Sequence, residues 1–149
     1  MKYLVDANVL SEPTKPTPDP RVVAWLRAQE RDLAVDPVIL GELWFGILVL
    51  PKGMKRTALE RWFDEGVRRL HCLPWEADTG LKWAELLARL RLNGRAMPIK
   101  DSLIAATAVV HSLAVATRNR AVFVNAGLCL CLTIGFRHLF FCGTIFSTG

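Results

Sequence analysis

Three carboxylates stand where a charge is costly. Asp6 is set into the apolar run YLVDANVL (3–10), and Glu42 is the only charged residue between Pro37 and Pro51. Asp101 opens a further apolar stretch with Lys100 as its only charged companion. An isolated charge taken out of water is expensive unless something compensates it. Three such groups converging on one place would raise one another's pKa or recruit a cation. A hard divalent ion removes the conflict: magnesium takes oxygen ligands at about 2.0–2.1 Å, keeps several waters, and often uses only one or two carboxylates. Such an ion acidifies water and offsets charge on a phosphoryl oxygen, so the chemistry suggested is phosphodiester hydrolysis. Each acid also has a plainer role open to it. Asp6 could accept backbone N–H groups in the turn that follows, Glu42 could pair with an arginine such as Arg118, and Asp101 could complement a helix dipole, worth about 0.3–1 kcal/mol.

The elements that must position these acids read as alternating strands and helices. KYLVD (2–6) is a short buried strand ending at Asp6. Asp19 and Pro20 make a cap-then-proline start for a helix over 21–29. DLAV (32–35) reads as a second strand, and Asp36–Pro37 repeats the same helix start for 38–50, which is apolar nearly all round. A helix of that kind is buried or meets another subunit. Helical spacing continues over 55–70 and 77–93, with Gly94 suited to a left-handed cap. HCLPW (71–75) is extended between those two. A last long helix over 98–112 precedes a strand at 113–117 and a final strand around 127–132, with RNRAVF (118–123) between them. Alternation of this kind predicts a three-layer α/β fold, a central mostly parallel sheet flanked by helices. In such sheets sites form at the carboxyl ends of strands, where Asp6 and Glu42 are expected.

The whole chain sets bounds on this. Its 149 residues suit one domain, and 52% apolar with 22% charged is globular composition. Residues 1–80 hold 11 basic and 12 acidic side chains, whereas 81–149 hold 8 and 2. A basic half favours a polyanion such as nucleic acid. The four cysteines, Cys72, Cys129, Cys131 and Cys142, show neither a CxxC pair nor a zinc spacing with His71, His111 or His138, so reduced thiols are expected. Asp6 and Glu12 interrupt any leader-like N-terminus, which makes a cytoplasmic location the expectation. The five tryptophans fall mostly at apolar helical positions and read as core. The arginine-bearing stretches 68–70 and 89–95 offer either RNA contacts or simply exposed helix surface. Residues 128–149 contain no acid and no clean period, and Arg137 and His138 divide them into pieces too short to span a bilayer.

In this order, YLVDANVLSE, LAVDPVILGELWFGI, LKWAEL, PIKDSLIAATA and VATRNRAVF resemble the motifs of a PIN-domain protein of the VapC toxin group, over residues 1 to about 127. The resemblance implies a PIN domain over 1–127 and, in 128–149, a last strand plus an atypical apolar tail. It implies a magnesium- or manganese-dependent ribonuclease, with Asp6, Glu42 and Asp101 as both catalytic residues and metal ligands. Asn8, Thr117 and Asn119 would be substrate-side polar groups. A cognate VapB-like antitoxin, an RNA substrate and a helix-mediated homodimer are the implied partners. Two positions depart from the pattern: Val122 stands where a fourth acid is usual, and Ile39 where a Thr or Ser often precedes the glutamate. The tail departs as well, and its composition suits a shifted reading frame. Val122 leaves a second reading open, a catalytically impaired homologue that still captures antitoxin. A haloacid-dehalogenase-like phosphatase would want a second Asp two residues after Asp6, where the chain has Asn8.

Overall fold

A computed structural model of the chain describes residues 1–125 and 131–132. Its centre is a parallel sheet of five short strands: β1 (Tyr3–Val5), β2 (Leu33–Val35), β3 (His71–Cys72), β4 (Ala114–Ala116) and β5 (Cys131–Leu132). The spatial order is β3-β2-β1-β4-β5. β1 is therefore the middle strand, with Leu4 opposite Ala34 on one side and Val115 on the other. Leu4, Val5, Ala34, Val35, Val115 and Ala116 are all buried. That is the continuous apolar signature of parallel strands covered on both faces.

Seven helices connect the strands among the described residues: α1 (Ala7–Leu10), α2 (Pro20–Ala28), α3 (Pro37–Leu48), α4 (Met54–Glu65), α5 (Ala77–Leu92), α6 (Ile99–Val110) and α7 (Arg120–Asn125). Both anticipated proline starts occur, with Asp19 capping α2 through Arg21 N and Asp36 capping α3 through Ile39 N. Gly94 adopts φ +66, and Arg95 N and Gly94 N close back onto Leu90 O and Arg91 O, a Schellman end to α5.

Three segments differ from expectation. Asp6 does not simply end a strand but caps the one-turn helix α1, because its carboxylate captures the next backbone N–H. The helix expected over 55–70 stops at Gly66, where a Cβ would meet Trp62 O at 3.0 Å, and a 3-10 turn over Val67–Arg69 replaces its last turn. RNRAVF is largely helical, with α7 running from Arg120 to Asn125. Of the segment 128–149, everything but the pairing of 131–132 lies outside the described residues.

The core gathers around β1, β2 and β4 with Val9, Val22, Ile39, Ile104 and Phe123. All five tryptophans are half-buried, Trp25, Trp44 and Trp62 packing against this core, while Trp75 donates its indole N–H to Thr107 at 3.0 Å and Trp83 to Ser102 at 2.9 Å. α3 buries Ile39, Leu43 and Ile47 and exposes Phe45 and Leu48, with Val49 exposed at its C-cap, so one flank of this nearly all-apolar helix faces outward. No helix among the described residues is long and apolar enough to cross a membrane.

Candidate active site

Three adjacent strands each hand over, at their carboxyl ends, to a buried polar residue: Asp6 after β1, Asp36 after β2 and Thr117 after β4. Strand alternation ends there, and the chain turns with polar side chains held at the sheet edge.

Asp6 is 4% exposed and doubly held. Its Oδ1 accepts from Ala7 N at 2.8 Å, and its Oδ2 accepts from the Thr117 hydroxyl at 2.7 Å. Its backbone N–H donates to Ala116 O at 2.9 Å, which ties the residue to β4. Burial raises its pKa; the Thr117 hydroxyl pulls the other way, and the Glu42 and Asp101 carboxylates push it up again. The acid therefore sits in the field of both partners expected from sequence. Asp101, in the first turn of α6, is raised by burial and by Glu42 while Lys100 opposes.

Glu42 and Asp101 are less enclosed than the sequence suggested, both being half-buried. Helices α3 and α6 pack together and bring Lys100 Nζ to 2.7 Å from Glu42 Oε1. Glu42 thus pairs with Lys100, whereas Arg118, the partner weighed from sequence, pairs with Glu12. The Lys100 ammonium is stabilised first by its bond to Glu42, then by the charges of Glu42, Asp101 and Asp6. Lys100 is thus bonded to Glu42 and lies in the field of Asp101 and Asp6.

The flanking polar residues form a ring on Thr117. Asn8 Nδ2 lies 3.4 Å from Thr117 Oγ1, a long contact, and Asn8 Oδ1 accepts from Arg118 N at 3.2 Å. Asn119 N donates to Thr117 Oγ1 at 3.0 Å while its side chain is exposed. Asn8, Thr117 and Asn119 are thus brought together beside Asp6. Val122, on α7, packs half-buried against the apolar core.

Two buried carboxylates escaped the sequence reading. Asp36 is fully buried: its Oδ1 caps α3 and its Oδ2 accepts from the Thr107 hydroxyl at 2.8 Å. Burial raises its pKa against the pull of those hydrogen bonds. Its signal was available, since it follows β2 as Asp6 follows β1, but the Asp–Pro pair was fully accounted for as a cap. Glu12 is 2% exposed, among prolines, where no periodicity marks burial.

The donor set of Asp6, Glu42 and Asp101 is all carboxylate oxygen, the chemistry a hard divalent cation prefers. Among the described residues, no group of three or more His, Cys, Asp or Glu side chains is already gathered as a metal cage. The acids are electrostatically coupled, but Glu42 is drawn to Lys100. An ion held by these oxygens would have to draw Glu42 away from Lys100.

A family model described as PIN domain matches residues 3–127. The chain is 36% identical over 129 residues to VapC ribonuclease Y4jK of Sinorhizobium fredii, covering 84% of this chain and 92% of that protein. It is 34% identical over 127 residues to Toxin FitB of Neisseria gonorrhoeae, covering 83% and 91%. Its fold superposes on the structure of FitAB bound to an IR36 DNA fragment with a TM-score of 0.82 at 29% identity, covering 91% of this chain and 99% of that one.

Proposed function

This chain belongs to the PIN-domain family, and from that premise we propose that it is a ribonuclease toxin whose cleavage of RNA is held off by a cognate VapB-like antitoxin. The observation that carries the reading is the set of three carboxylates, Asp6, Glu42 and Asp101, sharing one electrostatic field at the end of the sheet where Thr117 and Asn8 meet Asp6. Relatives named as a VapC ribonuclease and as a toxin support it.

The reaction is hydrolysis, with water attacking phosphorus in line. Asp6, Glu42 and Asp101 would hold a magnesium or manganese ion, which when bound would supply positive charge to the phosphoryl oxygens and acidify water. The chain's own contribution is positional. Thr117 and Ala7 N fix both oxygens of Asp6, so its carboxylate meets a ligand without reorienting. Asp101 and Glu42 supply negative charge from two packed helices, and Glu42 must release Lys100 to do so. Lys100 and Arg120, both exposed and flanking the acids or the Thr117 turn, offer cations to an RNA backbone. Asn8 and Asn119 offer neutral donors beside them. We further assign the outward flank of α3 to a homodimer and the cytoplasm as the place of action.

A second reading is favoured by one observation, the apolar packing of Val122: α7 offers no carboxylate there. It is a catalytically impaired homologue that captures antitoxin. Cleavage of a labelled structured RNA with magnesium or manganese separates the two. The toxin reading expects cleavage that EDTA abolishes and that Asp6→Asn lowers by about 100-fold or more. Inactive wild type with activity restored in Val122→Asp would establish the impaired homologue instead.

A further inference from the structure

Glu12 lies outside the acid cluster, on the 3-10 turn Glu12–Thr14 that follows α1. Its side chain is only 3% exposed, yet it is charged: Oε1 is hydrogen-bonded, while Oε2 is held by ion pairs without a hydrogen bond. Oε1 accepts from Asp19 N at 2.9 Å, while Oε2 lies 2.7 Å from Lys15 Nζ and 2.7 Å from Arg118 Nη2. The first two partners are local. Arg118 is not: it comes from the turn between β4 and α7, between Thr117 and Asn119.

That turn is the one that holds Asp6. Thr117 donates to Asp6 Oδ2 at 2.7 Å, and Arg118 N donates to Asn8 Oδ1 at 3.2 Å. A continuous set of contacts therefore runs from Glu12 through Arg118 and Thr117 to the central acid. We propose that Glu12 is a positioning residue of the cleavage site: by clamping Arg118 it fixes the 117–119 turn and keeps the Thr117 hydroxyl on Asp6. The proposal rests on the ribonuclease reading for its catalytic consequence, though not for the clamp itself. The charge state suits the role, since Lys15, then the Asp19 N–H and the Arg118 guanidinium, hold the Glu12 carboxyl below its ordinary range. An arginine released from that carboxylate would extend into solvent, leaving a three-residue turn with its hydroxyl free to rotate away.

A purely local role, tying the proline-rich loop 13–19, predicts something different, because that loop depends on Lys15 and Asp19 rather than on Arg118. The test is residue-resolved amide hydrogen exchange on the full chain, together with RNA cleavage, for wild type, Glu12→Gln, Arg118→Met, Lys15→Met and the Glu12/Arg118 double variant. Asp6→Asn is the inactive control. The clamp predicts that Glu12→Gln and Arg118→Met each speed exchange at the Arg118 and Asn119 amides by about tenfold, while Lys15→Met does not. It predicts kcat lowered by about tenfold with KM within about twofold in both, and no further loss in the double variant. Arg118 is exposed, so its variant keeps the test informative even if Glu12→Gln folds poorly. Unchanged exchange at those two amides in Arg118→Met and Glu12→Gln overturns the proposal. So does a raised KM confined to Arg118→Met, which would make Arg118 an RNA contact independent of Glu12. Wild type no more active than Asp6→Asn would sink the ribonuclease reading instead, and the exchange result would still decide the clamp.

Discussion

At the scale of single residues, the instructive contrast is between Asp6 and Glu42. Both were legible as lone charges in apolar runs, and both lie where the strand-end argument puts them. Only Asp6 is truly enclosed; Glu42 is half-exposed and satisfied by Lys100 at 2.7 Å. An apolar neighbourhood in sequence does not say which flank of a helix faces out, and α3 turns Glu42 toward the surface side. Asp36 and Glu12 show the reverse failure, since each is more buried than Glu42 while its sequence context offers an ordinary explanation. The Lys100 ammonium also has an arithmetic consequence. A unit charge bonded to Glu42 opposes a divalent ion at the same carboxylates, and the opposition is least screened at low salt. Lys100→Met should therefore tighten manganese binding by about tenfold at low ionic strength, measured by calorimetric titration, with the gain shrinking as salt is added. Equal affinities at every salt concentration would mean that the Glu42–Lys100 pair does not compete with the ion.

At the scale of elements, the start signals were easy to read and the stops were not. Asp19–Pro20 and Asp36–Pro37 each launch a helix where the cap-then-proline rule puts it, because those side chains need only their own following N–H groups. Stops depend on packing: α4 ends at Gly66, although apolar spacing continues to Leu70. The short α1 and α7 were missed because one or two turns carry no periodicity. Asp36 joins two elements, capping α3 while accepting from Thr107 of α6, and Trp75 donates to the same hydroxyl. Asp36→Ala removes the cap and leaves buried donors unmatched, so it should cost about 2–3 kcal/mol in urea unfolding. The pH dependence has a definite sign. Because burial raises the Asp36 pKa above its ordinary 3.8, the stability owed to its neutral form is complete below that value and is lost as pH rises through the folded pKa. Asp36→Asn cannot ionise, so relative to wild type its stability should decline less between pH 3.8 and neutrality; parallel curves would show that Asp36 is solvated as a charge.

At the scale of the whole molecule, fold class was the most legible property, since alternation of apolar strands with longer amphipathic runs admits few arrangements. What sequence could not give was the strand order, because three-residue strands carry no pairing information. The order places β1 between β2 and β4, and so places Asp6 between Asp36 and Thr117. The outward flank of α3 is a second global feature: Phe45 is 67% exposed and Val49, at its C-cap, 62%, a cost in water that a second copy would relieve. A dimer through this flank predicts that Phe45→Arg sediments as a monomer at concentrations where wild type is a dimer, without loss of fold; a dimeric Phe45→Arg would place any interface elsewhere. Finally, the bond between Asp6 and Thr117 joins residues 111 positions apart. β1 is made before its partner β4, and the hydroxyl that orients Asp6 follows that acid by 111 residues. A nascent or truncated product ending before residue 117 carries Asp6, Glu42 and Asp101 but lacks the Thr117 hydroxyl that Asp6 accepts from. The order of the strands alone therefore leaves Asp6 without its orienting hydroxyl until β4 has been made.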